Sequence, residues 1–282
     1  MCNSISDSEP QTRRPKYRDS FSIEGIQAGL KTRLFGKGPI YFYETIESTN
    51  VEAKRLAGAG LPEGALILAE SQSRGKGRME RRWASPKGGG LYLSVVLRPD
   101  IMPQEVQKLT FVAAVALACT LRELDVQPQI KWPNDILING RKVAGILMEL
   151  TGGSESVDFV ILGIGLNLSR SMKEFPRSIQ NQAASVNMAA GRSIDRREII
   201  QVLLLQLEVW YELFLRGSFE SILEVWRRFA DMLGARVRVI LSEGSMEGTA
   251  EDVASDGSLM VRDDKGSIHR VIVGDVVRCR PV

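Results

Sequence analysis

Short branched apolar runs, separated by polar breakers, recur from residue 40 to residue 166. Two of them, ALILAE at 65–70 and LYLSVVL at 91–97, are continuous, strand-length and bounded by breakers, and they predict buried strands. Residues 40–43, 130–132, 135–138, 142–150 and 159–166 predict further strands. Asn139-Gly140 is the strongest hairpin signal in the chain and joins 135–138 to 142–150. Helical periodicity appears at 21–34 and at 104–124, where the apolar middle FVAAVALA predicts a helix buried against a sheet. Thr49 and Glu52 have capping-box spacing and open a predicted helix reaching Gly58. Two more helices are predicted at 195–215 and 219–233, with their Leu, Trp and Phe positions in the core. From Gly234 the texture changes to short alternating strands punctuated by Gly244, Asp256-Gly257, Lys265-Gly266 and Gly274-Asp275, which predicts a small, partly open all-β unit. The expected organisation is a disordered polar tail at 1–20, a larger domain at 21–233 and the β unit at 234–282.

Composition narrows the class. With 282 residues, 44% hydrophobic and 25% charged, the chain can bury one sizeable core and a small second domain. A net charge of +3 is too small to argue for a nucleic-acid or membrane partner. No apolar run approaches membrane-spanning length, and the first twenty residues have no apolar core of a secretory signal. Cys2, Cys119 and Cys279 are scattered, which favours a reducing cytoplasm over a disulfide frame or zinc site. His269 is the only histidine, so a His-based triad or multi-His metal site is not expected.

Between the strands at 65–70 and 91–97 lies a long loop carrying Gly75, Gly77 and the run 88–90 among Arg74, Lys76, Arg78, Arg81 and Arg82. Glycines let a backbone fold over a ligand, and cations answer a carboxylate or phosphate. Alone, the loop reads equally well as a solvated basic segment, or as a nucleic-acid contact with Trp83 as a stacking platform. Ser48 and Thr49 at a helix start likewise read first as capping. A second dense stretch, KWPNDILINGRKVAGILME at 131–149, changes the balance.

GKGR with RRW, followed by KWPND, GRKVAGIL and GIGLN at 163–167, together with Ser48-Thr49-Asn50, resembles the biotin protein ligases from about Phe21 onward. The resemblance implies an α+β fold: a central mixed sheet flanked by helices, of the class II aminoacyl-tRNA-synthetase and biotin-ligase kind, with a small C-terminal SH3-like β-barrel. It implies an ATP-dependent enzyme that makes biotinyl-5′-AMP from biotin and ATP with Mg²⁺. The biotinyl group then passes to a lysine of a biotin carboxyl carrier protein, that of acetyl-CoA carboxylase. By the same resemblance, Ser48, Thr49, Asn50, Gln72, Gly75, Lys76, Gly77, Arg78, Lys142 and Gly145 bind biotin. Arg81, Trp83, Lys131, Asn134 and Asn167 meet ATP. Lys142, Arg78, Asp135 and Lys131 carry the chemistry, with Asp135 orienting or deprotonating the incoming lysine and serving as the one candidate metal ligand. The family's basic loop commonly continues Arg-Gly where Met79 and Glu80 stand, so a residue at ease at φ > 0 is missing here.

Two other functions share this sequence class. Some relatives are repressors with an N-terminal helix-turn-helix. The polar residues before Phe21 are too few for that module, so the monofunctional type without specific DNA binding is expected. Lipoate–protein ligases share the catalytic fold, but GKGR…RRW and the C-terminal β unit favour biotin. Pairing of two copies through a sheet edge is implied by analogy alone.

Overall fold

The computed structural model describes residues 21–241 and 243–278, so the expected tail at 1–20 lies outside the described residues. The chain runs α1 (Ile23–Ala28), β1 (Ile40–Tyr43), α2 (Thr49–Gly58), β2 (Leu66–Ala69), β3 (Gly90–Leu97) and α3 (Lys108–Glu123). It continues β4 (Gln129–Lys131), β5 (Asp135–Ile138), β6 (Arg141–Gly152), β7 (Val157–Asn167), α4 (Val186–Ala190), α5 (Arg196–Leu215) and α6 (Phe219–Phe229). It closes with β8 (Arg236–Ile240), β9 (Ser245–Val253), β10 (Leu259–Arg262), β11 (Ile268–Val271) and β12 (Asp275–Arg278). The first seven strands form one mixed sheet, ordered β1-β2-β3-β7-β6-β5-β4, in which only the β1–β2 pair is parallel. The last five form an antiparallel sheet, ordered β11-β10-β9-β8-β12.

Strand register decides which side chains share a face. On β3, Leu91, Leu93, Val95 and Leu97 point into a core built with α3, α5 and α6. That core continues into Val237, Val239, Ala250 and Val261 of the C-terminal sheet. Trp132 joins the two units, its indole N–H donating to Gly257 O at 3.0 Å. The opposite face of the large sheet is only half covered. There α2 lays Ala53 and Ala57 on Ile67, Val96, Phe159 and Ile161. The rest of that face stays open for the loop after β2.

Several boundaries differ from the periodicity. The helix expected over 21–34 is only α1, closed at Gly29. Beyond it the backbone N–H groups of Arg33, Leu34 and Phe35 all donate to the Glu208 carboxylate, at 2.7, 2.7 and 3.1 Å. A buried carboxylate on α5 thus replaces the intrahelical acceptors these amides would otherwise use. The capping box at Thr49 and Glu52 does not form. Ser48 is the N-cap, without a side-chain cap bond, and Glu52 turns to Tyr43 and Arg55. The helix expected from 104 starts at Lys108, after a 3₁₀ turn at Pro103–Glu105. The last helix stops at Phe229 rather than 233, where Ala230 leaves helical geometry and bridges to Ile130.

Glu208 is a structural keystone for the N-terminal approach. Glu208→Ala is expected to destabilise the protein by roughly 3 kcal/mol, because three donors lose their acceptor. Urea unfolding measures this, and a loss below about 1 kcal/mol would show that water replaces the carboxylate without penalty.

Candidate active site

The half-open face of the sheet carries a short strip of glycines, beside Tyr92 and Leu147. Gly145 on β6 is the register partner of Gly165 on β7, and Gly163 on β7 is the partner of Ser94 on β3. Partners across a ladder share a face, so these positions make a strip with almost no side-chain volume. The strip is needed for what lies on it. A Cβ on Gly163 would overlap the Asn50 amide, and one on Gly165 would sit 2.5 Å from Trp83 Nε1. Gly145 lies beneath both Trp83 and Lys142.

One wall comes from the start of α2. Thr49 donates its backbone N–H to Gln72 Oε1 at 2.8 Å, and Gln72 Nε2 donates to Ser85 Oγ at 2.8 Å. Ser94 Oγ lies 2.8 Å from Thr49 Oγ1 and donates to Asn50 Oδ1 at 2.6 Å. Asn50 Nδ2 donates to Glu149 Oε2 at 2.7 Å. Ser48, Thr49, Asn50 and Ser94 are buried, so this polar chain is shielded from water.

The other wall is the basic loop, which folds as a narrow hairpin. Bridges join Gln72 to Ser85 and Lys76 to Arg82. Trp83 N donates to Gly75 O at 2.8 Å, and Gly77 N donates to Arg81 O at 2.7 Å. Gly75 has no room for a Cβ, which would lie 2.5 Å from Trp83 O. The tip is Met79 and Glu80, with φ of 52° and 57°. The loop keeps a tight left-handed turn without the glycine that makes such a turn easy. Its stem is tied down by a buried pair: Arg196 donates to Glu70 at 2.7 Å, and Glu70 also accepts Gly88 N–H.

Each cation near the strip sits beside a carboxylate. Lys142 Nζ lies 2.5 Å from Asp135 Oδ1 and 5.4 Å above the Trp83 ring. The Asn139-Gly140 turn, with φ of 50° and 71°, fixes the strand that carries Lys142, as expected. Arg81 pairs with Asp275, and Arg78 Nη1 lies 3.6 Å from the same carboxylate. Arg78 also donates to Asn134 Oδ1 at 3.2 Å, while Asn134 Nδ2 holds Ile146 O at 2.6 Å. Burial pushes the Arg78 pKa down, against the pull of Asp275 and Asp135. Lys76 Nζ lies 3.3 Å from Glu149 Oε1.

Of the residues singled out in the sequence, Ser48, Thr49, Asn50, Gln72, Gly75, Lys76, Gly77, Arg78, Trp83, Asn134, Asp135, Lys142 and Gly145 gather around this strip. Lys131 pairs in register with Asp135 and leaves the sheet on the same face. Asn167 pairs with Gly90 at the far end, buried, with its Oδ1 unpartnered among the described residues. Arg81 reaches away to Asp275 rather than inward. Asp135 is a lone carboxylate bound to Lys142, and no group of three metal-ligating side chains exists among the described residues. These side chains do not fit a resident Mg²⁺.

Sequence reasoning missed Ser85, Ser94, Glu149 and Asp275. Ser94 had a signal, as the one serine or threonine inside the apolar run LYLSVVL. Glu149 and Asp275 had none, since each is one acidic residue among many until the sheet register and the C-terminal unit bring it in.

The chain matches the Biotin/lipoate A/B protein ligase family over residues 42–167 and the Biotin protein ligase C terminal domain over residues 232–278. It is 37% identical over 270 residues to the bifunctional ligase/repressor BirA of Bacillus subtilis, covering 94% of this chain and 82% of that protein. It is 34% identical to a biotin–[acetyl-CoA-carboxylase] ligase of Paracoccus denitrificans, covering 78% of this chain and 92% of that protein. The fold superposes on the biotin protein ligase from Aquifex aeolicus in complex with biotin and ATP, with TM-score 0.73 and 27% identity, covering 86% of this chain and 99% of that one.

The left-handed tip yields a local prediction. A side chain in that region costs about 1–2 kcal/mol, against about 0.5–1 kcal/mol of extra chain entropy for glycine. Glu80→Gly should therefore raise hydrogen-exchange protection of the Gly77 and Arg81 amides by roughly twofold to fivefold. Unchanged or lower protection would show that the Glu80 side chain itself stabilises the turn.

Proposed function

The chain belongs to the biotin protein ligase family, and we propose that it activates biotin with ATP and transfers the biotinyl group to a protein lysine. The observation that carries this reading is a glycine-floored strip with a buried polar chain on one side and carboxylate-paired cations around it. The polar chain suits the uncharged ureido head of biotin. The cations suit the two anions that must meet.

In the first step the biotin carboxylate attacks the α-phosphate of ATP, the bond to the β-phosphate breaks, and pyrophosphate leaves. Repulsion between the reactants is the main obstacle, so preplaced positive charge matters more than proton transfer. Lys142 neutralises the carboxylate as it attacks. Arg78 and Arg81 leave Asp275 for phosphate oxygens, and Lys131 and Asn134 approach the same group. Trp83 packs against the adenine and Asn167 meets the nucleotide. Any Mg²⁺ would come with the ATP and would supply charge neutralisation at its phosphates, since these side chains offer it no site of their own. In the second step a carrier lysine attacks the anhydride and AMP leaves, with Asp135 orienting that amine and taking its proton. The acceptor is a biotin carboxyl carrier protein, that of acetyl-CoA carboxylase. Specific DNA binding is not part of this reading; a steep salt dependence of duplex binding would contradict it.

ATP–pyrophosphate exchange tests the reading directly. Biotin should support exchange and lipoate should not; equal exchange with lipoate would move the chain to the other branch of its family. Lys142 gives a sharper prediction. A hydrogen bond to a charged group is worth about 1.5–3 kcal/mol, or roughly tenfold to two-hundredfold in rate. Lys142→Ala should slow biotinyl-AMP formation by at least the lower factor. Transfer from supplied biotinyl-AMP should suffer less, because pyrophosphate has already left. Near-normal adenylation in a folded variant would make Lys142 a bystander of the Asp135 carboxylate.

A further inference from the structure

Lys142 lies where β6 has run past its neighbour. The β6–β7 ladder begins at Ala144 and Leu166, so β7 does not reach Lys142. Residues 182–184 take its place. Lys142 N–H donates to Gln182 O at 2.7 Å, and Ala184 N–H donates to Lys142 O at 3.0 Å. Both backbone groups of Lys142 are thus spent on this segment, as in a parallel strand pair. The segment is itself held by a turn, in which the N–H groups of Gln182 and Ala183 both donate to Ile179 O at 2.9 Å. Just beyond Ala184, the fully buried Ser185 hydroxyl donates to Arg170 O at 2.7 Å.

Arg170 is buried, with 3% of its surface exposed. Its Nη2 donates to Glu174 O at 2.7 Å, and its guanidinium stacks 4.1 Å from the centre of the Phe175 ring. It therefore grips the start of the chain that leads into the Ile179 turn. Its Nη1 donates at 3.2 Å to Ala84 O, in the return leg of the basic loop between Trp83 and Ser85. A Cβ on Gly89 would lie 3.0 Å from Arg170 Cγ, so that glycine makes room for the stem. Arg170 Nε has no partner among the described residues. A buried guanidinium with a donor unused is costly, and packing alone would be served better by an apolar side chain. Trp83 and Lys142 meet above Gly145, the ammonium 5.4 Å from the ring. Each is held from behind by an element that Arg170 ties down.

We propose that Arg170 is a positioning residue for adenylation, whose guanidinium joins the peptide after Trp83 to the segment that clamps Lys142 and so fixes the Trp83 ring relative to the Lys142 ammonium. The proposal rests on the ligase reading above and deepens it. Arg170 touches neither reactant in that reading and acts through Ala84 on one side and residues 174–184 on the other.

Arg170→Met keeps the stem beside Gly89 and removes the donors. In ATP–pyrophosphate exchange it should lower kcat by about tenfold or more, since a misplacement near 1 Å can cost about a hundredfold, while KM for biotin moves by less than about threefold. The decisive measurement pairs it with Lys142→Ala. An ammonium already out of place has little left to lose. Lys142→Ala should cost about tenfold or more in the wild type, and less than about threefold in the Arg170→Met background. A partly unfolded enzyme would behave otherwise, because a smaller active fraction scales every rate alike and leaves the Lys142 cost whole. Where Arg170→Met does not fold, Arg170→Lys keeps the buried charge but cannot reach both carbonyls, and it carries the same comparison.

Costs that multiply in full, a kcat within about twofold of wild type, or a rise in KM for biotin as large as the fall in kcat would overturn the proposal while leaving the ligase reading intact. Unchanged exchange in Lys142→Ala alone would overturn it as well. Absence of exchange with biotin in the wild-type protein would sink the ligase reading, and this proposal with it.

Discussion

A Cβ on Gly163 would overlap Asn50, and one on Gly165 would press into the Trp83 indole, so the site exists only because side chains are missing at a few positions on one face of a close-packed sheet. Interiors are normally filled to crystal density, and a strip left bare would be a cavity. Here the bare strip is filled from above by α2 and by the basic loop. The opposite face must then supply the packing, which it does through β3 and the helices α3, α5 and α6. One strand thus has two chemistries. Leu91, Leu93 and Val95 stabilise the fold, while Ser94 between them joins the polar chain at the start of α2.

Charge imposes the second constraint. Cations gathered for two anionic substrates repel one another when the substrates are absent, and their burial is costly. The protein meets this by giving Lys142, Arg78, Arg81 and Lys76 carboxylates of its own, Asp135, Asp275 and Glu149. Burial lowers the Arg78 pKa, yet a guanidinium starts so high that it stays charged. Substrate anions must compete with these pairs, and the exchange of one carboxylate for another costs less than desolvating a bare cation.

How much of this was legible in the sequence follows from range. Local signals held: the Asn139-Gly140 turn, the continuous strands around the basic loop, the apolar helix 108–123 and the alternation of the C-terminal strands. They depend on neighbours within a few residues. What failed depended on distant partners. The helix expected over 21–34 stops early because Glu208, far along the chain, captures its amides. The capping box at Thr49 gives way because Thr49 faces Gln72 and Ser94 instead. The candidate site residues came from motif resemblance, and the strip does gather most of them. Ser85, Glu149 and Asp275 stayed hidden because no spacing along the chain announces a partner across a sheet or in another unit.

The turn at Met79 and Glu80 shows the same interplay at smaller scale. Without its glycine, the sequence does not fix the path of this turn. Met79 and Glu80 both adopt left-handed backbone, and the turn is held at both sides. Below it, Gly77 N–H meets Arg81 O and the Lys76–Arg82 bridge closes the stem. Beside it, Arg78 and Arg81 converge on Asp275 of the C-terminal sheet. Two left-handed side chains cost about 2–4 kcal/mol together, an amount that several charge-assisted and backbone contacts can offset. The C-terminal unit is therefore more than an appendage. Its β12 supplies the carboxylate on which the basic loop rests, and the loop carries the cations, so the geometry of the larger domain's site depends on a strand that lies outside it.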